Sequence, residues 1–202
     1  MNIAILGGAF NPVTISHVEL AKLILKETDV SEVWITPCYE HLEKKLESPE
    51  DRLEMIEIVI GNEKNIKAFD YEIRNKLHGE TYIFLDKLLN DEQYNECDFS
   101  FILSMDRANE IDKFYKSVEL LKLPIRFIVC YRPGIKEDEN VDWYLKDPHV
   151  FIKDKGNNEL LECSSTMART KLKDYYACGV KIEMLKKMMN FNVLEYIFKH
   201  SL

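Results

Sequence analysis

The sequence predicts an α/β fold built on a doubly wound parallel sheet, and three observations support that prediction. Short apolar runs alternate along the 202 residues with longer segments in which apolar residues recur at helical spacing. Residues 99–103 and 125–130 are apolar almost throughout, as expected of parallel strands covered on both faces. The glycines Gly7-Gly8 separate the first apolar run from the first helical pattern. Strands that alternate with helices join through right-handed crossovers, which build a sheet of this kind.

Each element follows from its own stretch of sequence. Strands are predicted at residues 2–7, 32–36, 66–70, 98–103, 125–130 and 149–153. Helices are predicted at residues 16–27, 49–61, 80–90, 106–121 in one or two pieces, 165–176 and 181–199. The second helix has the clearest start, because Ser48 can cap it and Pro49 suits its first position. We expect a single domain over residues 1–202, with a C-terminal helical part from about residue 164.

Composition and charge restrict the class of protein. The 27 basic and 35 acidic residues give a net charge of −8, which disfavours a general nucleic-acid surface. The five cysteines are scattered without a C-x-x-C pair or metal-ligand spacing, so we predict reduced thiols and no metal site. No run reaches the ~18 apolar residues of a membrane span, and polar residues interrupt the N-terminus where a secretory signal would be apolar. We therefore expect a cytoplasmic protein without nucleic-acid or membrane partners, and the sequence leaves a homo-oligomer open.

The turn between the first strand and the first helix is suited to phosphate. Gly7 and Gly8 let the backbone approach an anion, and the first free N–H groups of the helix would point at it. His17 would lie where the phosphate charge collects. From spacing alone, a plain strand-to-helix turn with a surface histidine fits equally well. The dinucleotide fingerprint G-x-G-x-x-G is absent, which argues against the usual NAD-binding turn.

Two separate motifs carry a family resemblance. Residues 8–12 (GAFNP) and 14–17 (TISH) resemble the G-x-F-[DN]-P and [HT]-x-G-H signature of nucleotidyltransferases, and residues 164–169 (SSTMAR) resemble their I-S-S-T-x-x-R signature. Shorter matches, in the same order as in the family, lie at residues 37–44, 51–55, 81–82, 101–106, 131–134 and 193–197. Together they resemble bacterial nicotinate-nucleotide adenylyltransferases over nearly the whole chain. The resemblance implies a Rossmann-like nucleotidyltransferase fold.

The activity implied by the resemblance is adenylyl transfer in NAD biosynthesis. The 5′-phosphate of nicotinate mononucleotide attacks the α-phosphorus of ATP, deamido-NAD forms and pyrophosphate leaves. Because a phosphate is already an anionic nucleophile, catalysis requires in-line positioning and charge neutralisation rather than a general base. Mg²⁺ would arrive bound to the ATP phosphates.

The resemblance also assigns residues to roles. The catalytic group is His17, as donor to the α-phosphate, with Thr14 and Arg169. The ATP-binding residues are Gly7, Gly8, Ala9, Phe10, Asp106, Ser164, Ser165 and Thr166. The mononucleotide-binding residues are Lys44, Thr81, Tyr82, Ile83, Tyr115 and Arg132.

Some alternatives stay open at this stage. Asp106 could instead cap a helix at residues 107–112, Ser165 and Thr166 could form a simple cap, and Tyr115 could be a core aromatic beside Phe114. The chain departs from the family pattern at Ser16, Glu43, Ile83 and Ser104. The alternative functions are transfer to nicotinamide mononucleotide, phosphopantetheine or another phosphate ester, and nucleotide binding without turnover.

Overall fold

The computed structural model describes residues 1–41, 45–132, 134–153, 163–178 and 182–202. In this part of the chain, six parallel strands form one sheet in the order β3-β2-β1-β4-β5-β6. The strands are β1 Asn2–Gly8, β2 Glu32–Pro37, β3 Ile66–Ala68, β4 Asp98–Ser104, β5 Arg126–Cys130 and β6 Val150–Ile152. The α/β prediction is therefore confirmed, and every predicted strand is present.

The helices of the described residues connect these strands. They are α1 Ile15–Glu27, α2 Pro49–Ile60, α3 Tyr71–Arg74, α4 Thr81–Leu89, α5 Met105–Asn109, α6 Ser117–Leu120, α7 Ser165–Cys178, α8 Ile182–Lys186 and α9 Phe191–His200. Short 3₁₀ turns lie at Glu92–Tyr94, Ile111–Lys113 and Trp143–Leu145. The short helix α3 was not predicted. The division into a single domain with a C-terminal helical part stays a prediction.

The prediction of one helix over residues 181–199 was wrong. The chain there forms α8 and α9, and the break lies where the side chain of Asn190 accepts the backbone N–H of Asn192. Asparagine is a strong N-cap, and its side-chain bond begins a new helix instead of extending the old one. The apolar periodicity continues across the break, which is why periodicity alone suggested a single helix.

Apolar side chains cover both faces of the sheet. Along β1, Ala4 and Leu6 belong to one buried cluster and Ile3 and Ile5 to the other. This alternation follows from the pleat, which sends successive side chains to opposite faces. The first cluster includes residues of α1, α2 and α9, and the second includes residues of α4 and α6. Helices on both faces define the doubly wound arrangement.

The carboxyl ends of the four central strands lie along one edge of the sheet. Gly8 at the end of β1 is in register with Pro37 at the end of β2, and Ser104 at the end of β4 is in register with Cys130 at the end of β5. In open parallel sheets, ligands bind beyond this edge. The strand order therefore determines where the site must be sought.

Candidate active site

A cavity of about 590 Å³ opens at the carboxyl edge of the sheet. At its β2 end it is lined by Cys38, His41, Lys45, Leu46, Glu72, Gly79, Thr81 and Phe84. Its centre is formed by residues of the glycine turn and the start of α1: Gly7, Gly8, Ala9, Phe10, Asn11, Ser16 and His17. It is also lined by Ser104, Arg107, Phe114, Tyr131 and Arg132, which follow β4 and β5, and by Cys163, Ser164, Ser165, Thr166 and Arg169 at the start of α7.

The glycines of the first turn allow close packing at the centre of this cavity. A Cβ on Gly7 would lie 3.1 Å from the ring of Phe101, and one on Gly8 would lie 3.3 Å from the ring of Phe10. Phe10 is buried and has φ of +46°, a conformation that costs energy for a bulky residue. The turn therefore has a fixed shape that the surrounding packing enforces.

His17 is held in one orientation by Thr14. The backbone N–H of Thr14 donates to Nδ1 of His17 over 3.0 Å, and Oγ1 of Thr14 lies 2.9 Å from the same nitrogen. The ring of Phe10 packs edge-on against the imidazole, with 4.9 Å between ring centroids. Because Nδ1 accepts a backbone N–H, the proton of the neutral ring lies on Nε2. Burial is the main cause that lowers the pKa of His17 to about 4, and the nearby charge of Arg132 acts in the same direction.

The start of α7 is tied to the first turn. Arg169 donates from Nη1 to the carbonyl of Asn11 over 2.7 Å and from Nη2 to Oγ1 of Thr166 over 3.1 Å. The hydroxyl of Ser165 donates to the carbonyl of Pro12 over 2.9 Å. These bonds place the two sequence motifs against each other, although about 150 residues separate them in the chain.

The helix cap at this junction is Ser164, whose Oγ accepts the backbone N–H of Met167 over 3.2 Å. Ser165 and Thr166 thus lie in the first turn of α7, and the interpretation of these two residues as the cap was wrong. Backbone N–H groups in a first turn have no intrahelical acceptor, so they can bind an anion. Ser16, which replaces a family glycine, donates its hydroxyl to the carbonyl of Cys163 and so adds a further link to this junction.

Asp106 and Arg132 form an ion pair at the ends of β4 and β5, with 3.0 Å between Oδ2 and Nη1. Burial acts to raise the pKa of Asp106, but a hydrogen bond from Ser104 and the charge of Arg132 together lower it. Arg132 lines the cavity, whereas Asp106 is not among its lining residues. The N-cap of α5 is Ser104, so the alternative in which Asp106 is a simple helix cap was wrong. The resemblance assigned this aspartate and this arginine to different substrates, yet the fold places them in contact.

Of the predicted mononucleotide residues, Thr81 lines the cavity at its β2 end and Arg132 lines it after β5, whereas Tyr82, Ile83 and Tyr115 are not among the lining residues. Thr81 begins α4, so the N–H groups of Thr81, Tyr82 and Ile83 belong to an unsatisfied first turn. Tyr115 is 53% exposed and packs edge-on against Tyr82 at 6.5 Å, so the alternative in which it is a core aromatic was wrong. Lys44 lies outside the described residues.

Two buried charged residues near this end were missed by the sequence analysis. Arg52 of α2 is fully buried and donates from Nε to the carbonyl of Glu47, from Nη1 to the carbonyl of Ala9 and to Sγ of Cys38, and from Nη2 to the carbonyls of Cys38 and Tyr39. These contacts join α2 to the ends of β1 and β2. The signal was present in the sequence, because this arginine precedes buried Met55 and Ile56 by three and four residues.

The second missed residue is Glu72 of α3, which is 4% exposed and lines the cavity. Its Oε2 has no hydrogen-bond partner among the described residues. Nothing in the local sequence distinguishes it from the solvated glutamates of other helices, so only the fold shows that it is buried.

Among the described residues, no three His, Cys, Asp or Glu side chains cluster closely enough to hold a metal ion. None of the helices in this part of the chain is both long and apolar enough to cross a bilayer.

Comparison with known proteins identifies the family. A family model described as Cytidylyltransferase-like matches residues 5–171. The chain is 31% identical to an Aliarcobacter butzleri protein named "Probable nicotinate-nucleotide adenylyltransferase", over 87% of this chain and 90% of the relative. A Fusobacterium nucleatum protein of the same name is 32% identical over 86% of this chain and 89% of the relative. This chain belongs to the nicotinate-nucleotide adenylyltransferase family.

Solved structures agree with this family membership. The Plasmodium falciparum nicotinic acid mononucleotide adenylyltransferase, solved in complex with NaAD, aligns with a TM-score of 0.83 and 26% identity, over 100% of this chain and 96% of that one. A structure from Vibrio parahaemolyticus described as a putative nicotinate-nucleotide adenylyltransferase aligns with a TM-score of 0.62 at 19% identity, which supports the fold alone. The chain is thus a nucleotidyltransferase of the nicotinate-nucleotide adenylyltransferase family, as its motifs predicted.

Proposed function

We propose that this chain joins ATP and nicotinate mononucleotide to give deamido-NAD and pyrophosphate. The observation that carries the proposal is the contact between the glycine turn and the start of α7, which brings His17, Ser165 and Arg169 to one cavity. Cationic and N–H donors converge there on a space next to free backbone amides. That chemistry suits a polyphosphate.

The α7 end of the cavity is proposed to hold the triphosphate. The first-turn N–H groups of Ser165 and Thr166 and the guanidinium of Arg169 would bind the β- and γ-phosphates. Arg132, whose charge acts on His17, would add positive charge near the α-phosphate. Mg²⁺ would be carried with ATP, since the donors at this end are cationic groups and hydroxyls, which suit phosphate oxygens rather than a metal ion.

The β2 end is proposed to hold the mononucleotide. The first turn of α4 presents free N–H groups at Thr81, Tyr82 and Ile83, where a pyridine carboxylate would be stabilised by the positive end of the helix. Tyr115 lies beside Tyr82 and offers an aromatic face at the rim. Lys45 lines this end and is a candidate for the mononucleotide phosphate together with the predicted Lys44.

The chemical step then requires positioning and charge stabilisation. The acceptor phosphate attacks the α-phosphorus, the bond to the bridging oxygen of pyrophosphate breaks, and no proton has to be removed from the nucleophile. His17 donates from Nε2 to an α-phosphate oxygen as negative charge builds on the pentacoordinate centre. Thr14 contributes by fixing the imidazole, since both of its contacts are to Nδ1.

The test is an acceptor panel with ATP and Mg²⁺. Nicotinate mononucleotide, nicotinamide mononucleotide and phosphopantetheine are each incubated with the protein, and pyrophosphate release is measured together with the mass of the product. We expect deamido-NAD from nicotinate mononucleotide, and pyrophosphate release slowed by ~10²–10³ with the His17→Ala variant at the same concentration. Faster turnover with phosphopantetheine, or nucleotide binding without any product, would contradict the proposal.

A further inference from the structure

Glu72 is a buried carboxyl group at the edge of an otherwise donor-rich cavity. It lies in the short helix α3, is 4% exposed, and lines the β2 end of the cavity with Thr81. Its Oε2 has no hydrogen-bond partner among the described residues. A buried carboxylate costs free energy when no donor bonds to it. Either the group is therefore neutral, or a ligand supplies the missing hydrogen bond.

The neighbouring Arg52 does not supply a hydrogen bond to Glu72. Arg52 has five N–H donors, and three backbone carbonyls at the ends of β1 and β2, the carbonyl of Glu47 and Sγ of Cys38 account for all five. Arg52 therefore offers Glu72 a nearby positive charge but no hydrogen bond. Among the described residues, none therefore gives Oε2 of Glu72 the charge-assisted bond that usually stabilises a buried carboxylate.

Burial favours the neutral form of Glu72. Burial raises the pKa of Glu72 to about 8; the charge of Arg52 acts to lower it, and the charge of Glu80 raises it. Glu80 is the residue that precedes α4, so its influence also shows that Glu72 lies within electrostatic range of the α4 N-terminus. Glu72 in turn raises the pKa of the Cys38 thiol, which burial raises most. Other titratable groups on the surrounding loops are His41, Lys45 and His78.

We propose that Glu72 determines the specificity of the acceptor site: as a carboxylic acid it donates a hydrogen bond to the carboxylate of the acceptor's pyridine ring, next to the N–H groups of α4. This inference rests on the proposed function, because it names the group that Glu72 recognises in the mononucleotide. As a carboxylate, Glu72 would repel that ligand and would instead accept a hydrogen bond from an amide NH₂. The protonation of one side chain therefore sets the preference for nicotinate over nicotinamide.

The experiment measures that preference against pH. The kcat/KM values for nicotinate and nicotinamide mononucleotide are determined with saturating ATP and Mg²⁺ from about pH 6 to about pH 9.5, since kcat/KM reports groups of the free enzyme. The phosphates of the two mononucleotides titrate alike, near pKa ~6, so their ionisation cancels in the ratio. We expect the ratio of nicotinate to nicotinamide to be constant below about pH 7 and to fall by about 10- to 100-fold above about pH 8, the factor that a charge-assisted hydrogen bond supplies.

The Glu72→Gln variant is the decisive comparison. Glutamine keeps a donor of the same shape but cannot ionise, so its ratio should stay flat across the range while nicotinate remains preferred. Glu195→Gln, on the exposed face of α9, removes one negative charge far from the cavity and should follow the wild-type profile. A purely structural role for Glu72 would change the melting temperature of the variant and leave the shape of the pH profile intact.

An infrared titration of Glu72 tests the protonation state independently of turnover. The difference spectrum between the wild type and Glu72→Gln should contain a protonated-carboxyl band at about pH 7 that disappears above about pH 8. The proposal would be overturned if Glu72 were already a carboxylate at about pH 7. It would also be overturned if the wild-type ratio of kcat/KM values did not change with pH, or if the ratio fell equally in Glu72→Gln. If the wild type forms no product from either mononucleotide, the proposed function itself has failed.

Discussion

The backbone N–H of Thr14 donates to Nδ1 of His17 over 3.0 Å, and this bond determines what the histidine can do. With Nδ1 occupied as an acceptor, the neutral imidazole carries its proton on Nε2 and can donate it in a hydrogen bond to a phosphate oxygen. Burial lowers the pKa of His17 to about 4, so the ring remains neutral at physiological pH. It thus acts as a fixed dipolar donor and not as an imidazolium.

Replacing His17 with alanine should remove that donor. We expect the rate of adenylyl transfer to fall by ~10²–10³, the usual cost of losing one donor aimed at transition-state charge. ATP binding, measured by calorimetry, should change much less, because Arg169 and the α7 amides remain. Single-turnover experiments with saturating substrates report the chemical step directly.

His17→Gln is the informative control, because its amide N–H can reach part of the way toward the position of Nε2. Partial recovery of the rate relative to His17→Ala would support donation from that atom. Single-turnover rates of the alanine variant within about threefold of wild type would exclude His17 from the mechanism.

The depressed pKa of His17 also predicts how stability depends on pH. The folded value of about 4 lies below the value of 6.5 in the unfolded chain. The unfolded state therefore binds a proton that the folded state rejects, and stability that is complete above the unfolded pKa is lost as the pH falls toward the folded pKa. Urea unfolding at about pH 7 and about pH 5 should show a loss of at most about 2 kcal/mol from this group, an upper bound because the ring faces an open cavity.

His17→Gln supplies the reference for this measurement, since other groups titrate identically in both proteins. The loss of stability between the two pH values should be smaller in the variant than in the wild type. Equal losses in the two proteins would show that His17 does not resist protonation in the folded state.

Substituting Arg169 with lysine should weaken ATP binding even though the charge is kept. Arg169 bonds to the carbonyl of Asn11 and to Oγ1 of Thr166 at once, and a single ammonium group cannot reproduce this fork. We expect the dissociation constant for ATP to rise by about 10- to 100-fold, corresponding to ~1–3 kcal/mol. Lys173→Ala, at an exposed position on the same helix, should leave ATP binding unchanged. Calorimetry that finds equal affinity for Arg169→Lys and wild type would mean that Arg169 does not contact ATP.

The sequence predicted those parts of the molecule that depend on local pattern. The strands were predicted from apolar runs in the sequence. The turn was predicted from Gly7 and Gly8, because the backbone conformations that glycine allows are known from the residue type alone. The contact between Ser165 and Pro12 was implied only because two motifs matched one family. Neither motif alone determines that they meet.

Features created by tertiary surroundings were not predictable in this way. Asp106 and Arg132 pair because β4 and β5 are neighbours in the sheet, a relationship that a separation of 26 residues in the sequence conceals. The raised pKa of Glu72 depends on burial against α2 and the β2 end, and its own helix is only four residues long. At Asn190 a local helix cap competes with an apolar periodicity that favours one continuous helix. Which of the two prevails depends on the packing of the whole structure.

The last prediction concerns Arg52, whose guanidinium joins α2 to the ends of β1 and β2. Replacing it with lysine keeps the buried charge but offers three donors where five acceptors now bind, so at least two acceptors lose their partner. Each unsatisfied buried group costs ~1–3 kcal/mol, so the loss of two partners should lower the free energy of unfolding by about 2–6 kcal/mol. The matched control is Arg74→Lys, because Arg74 is exposed and its ion pair with Asp70 is worth no more than about 1 kcal/mol. Urea unfolding of the two variants should separate them clearly, and a loss in Arg52→Lys no larger than in the control would show that these five bonds do not stabilise the junction of α2 with the ends of β1 and β2.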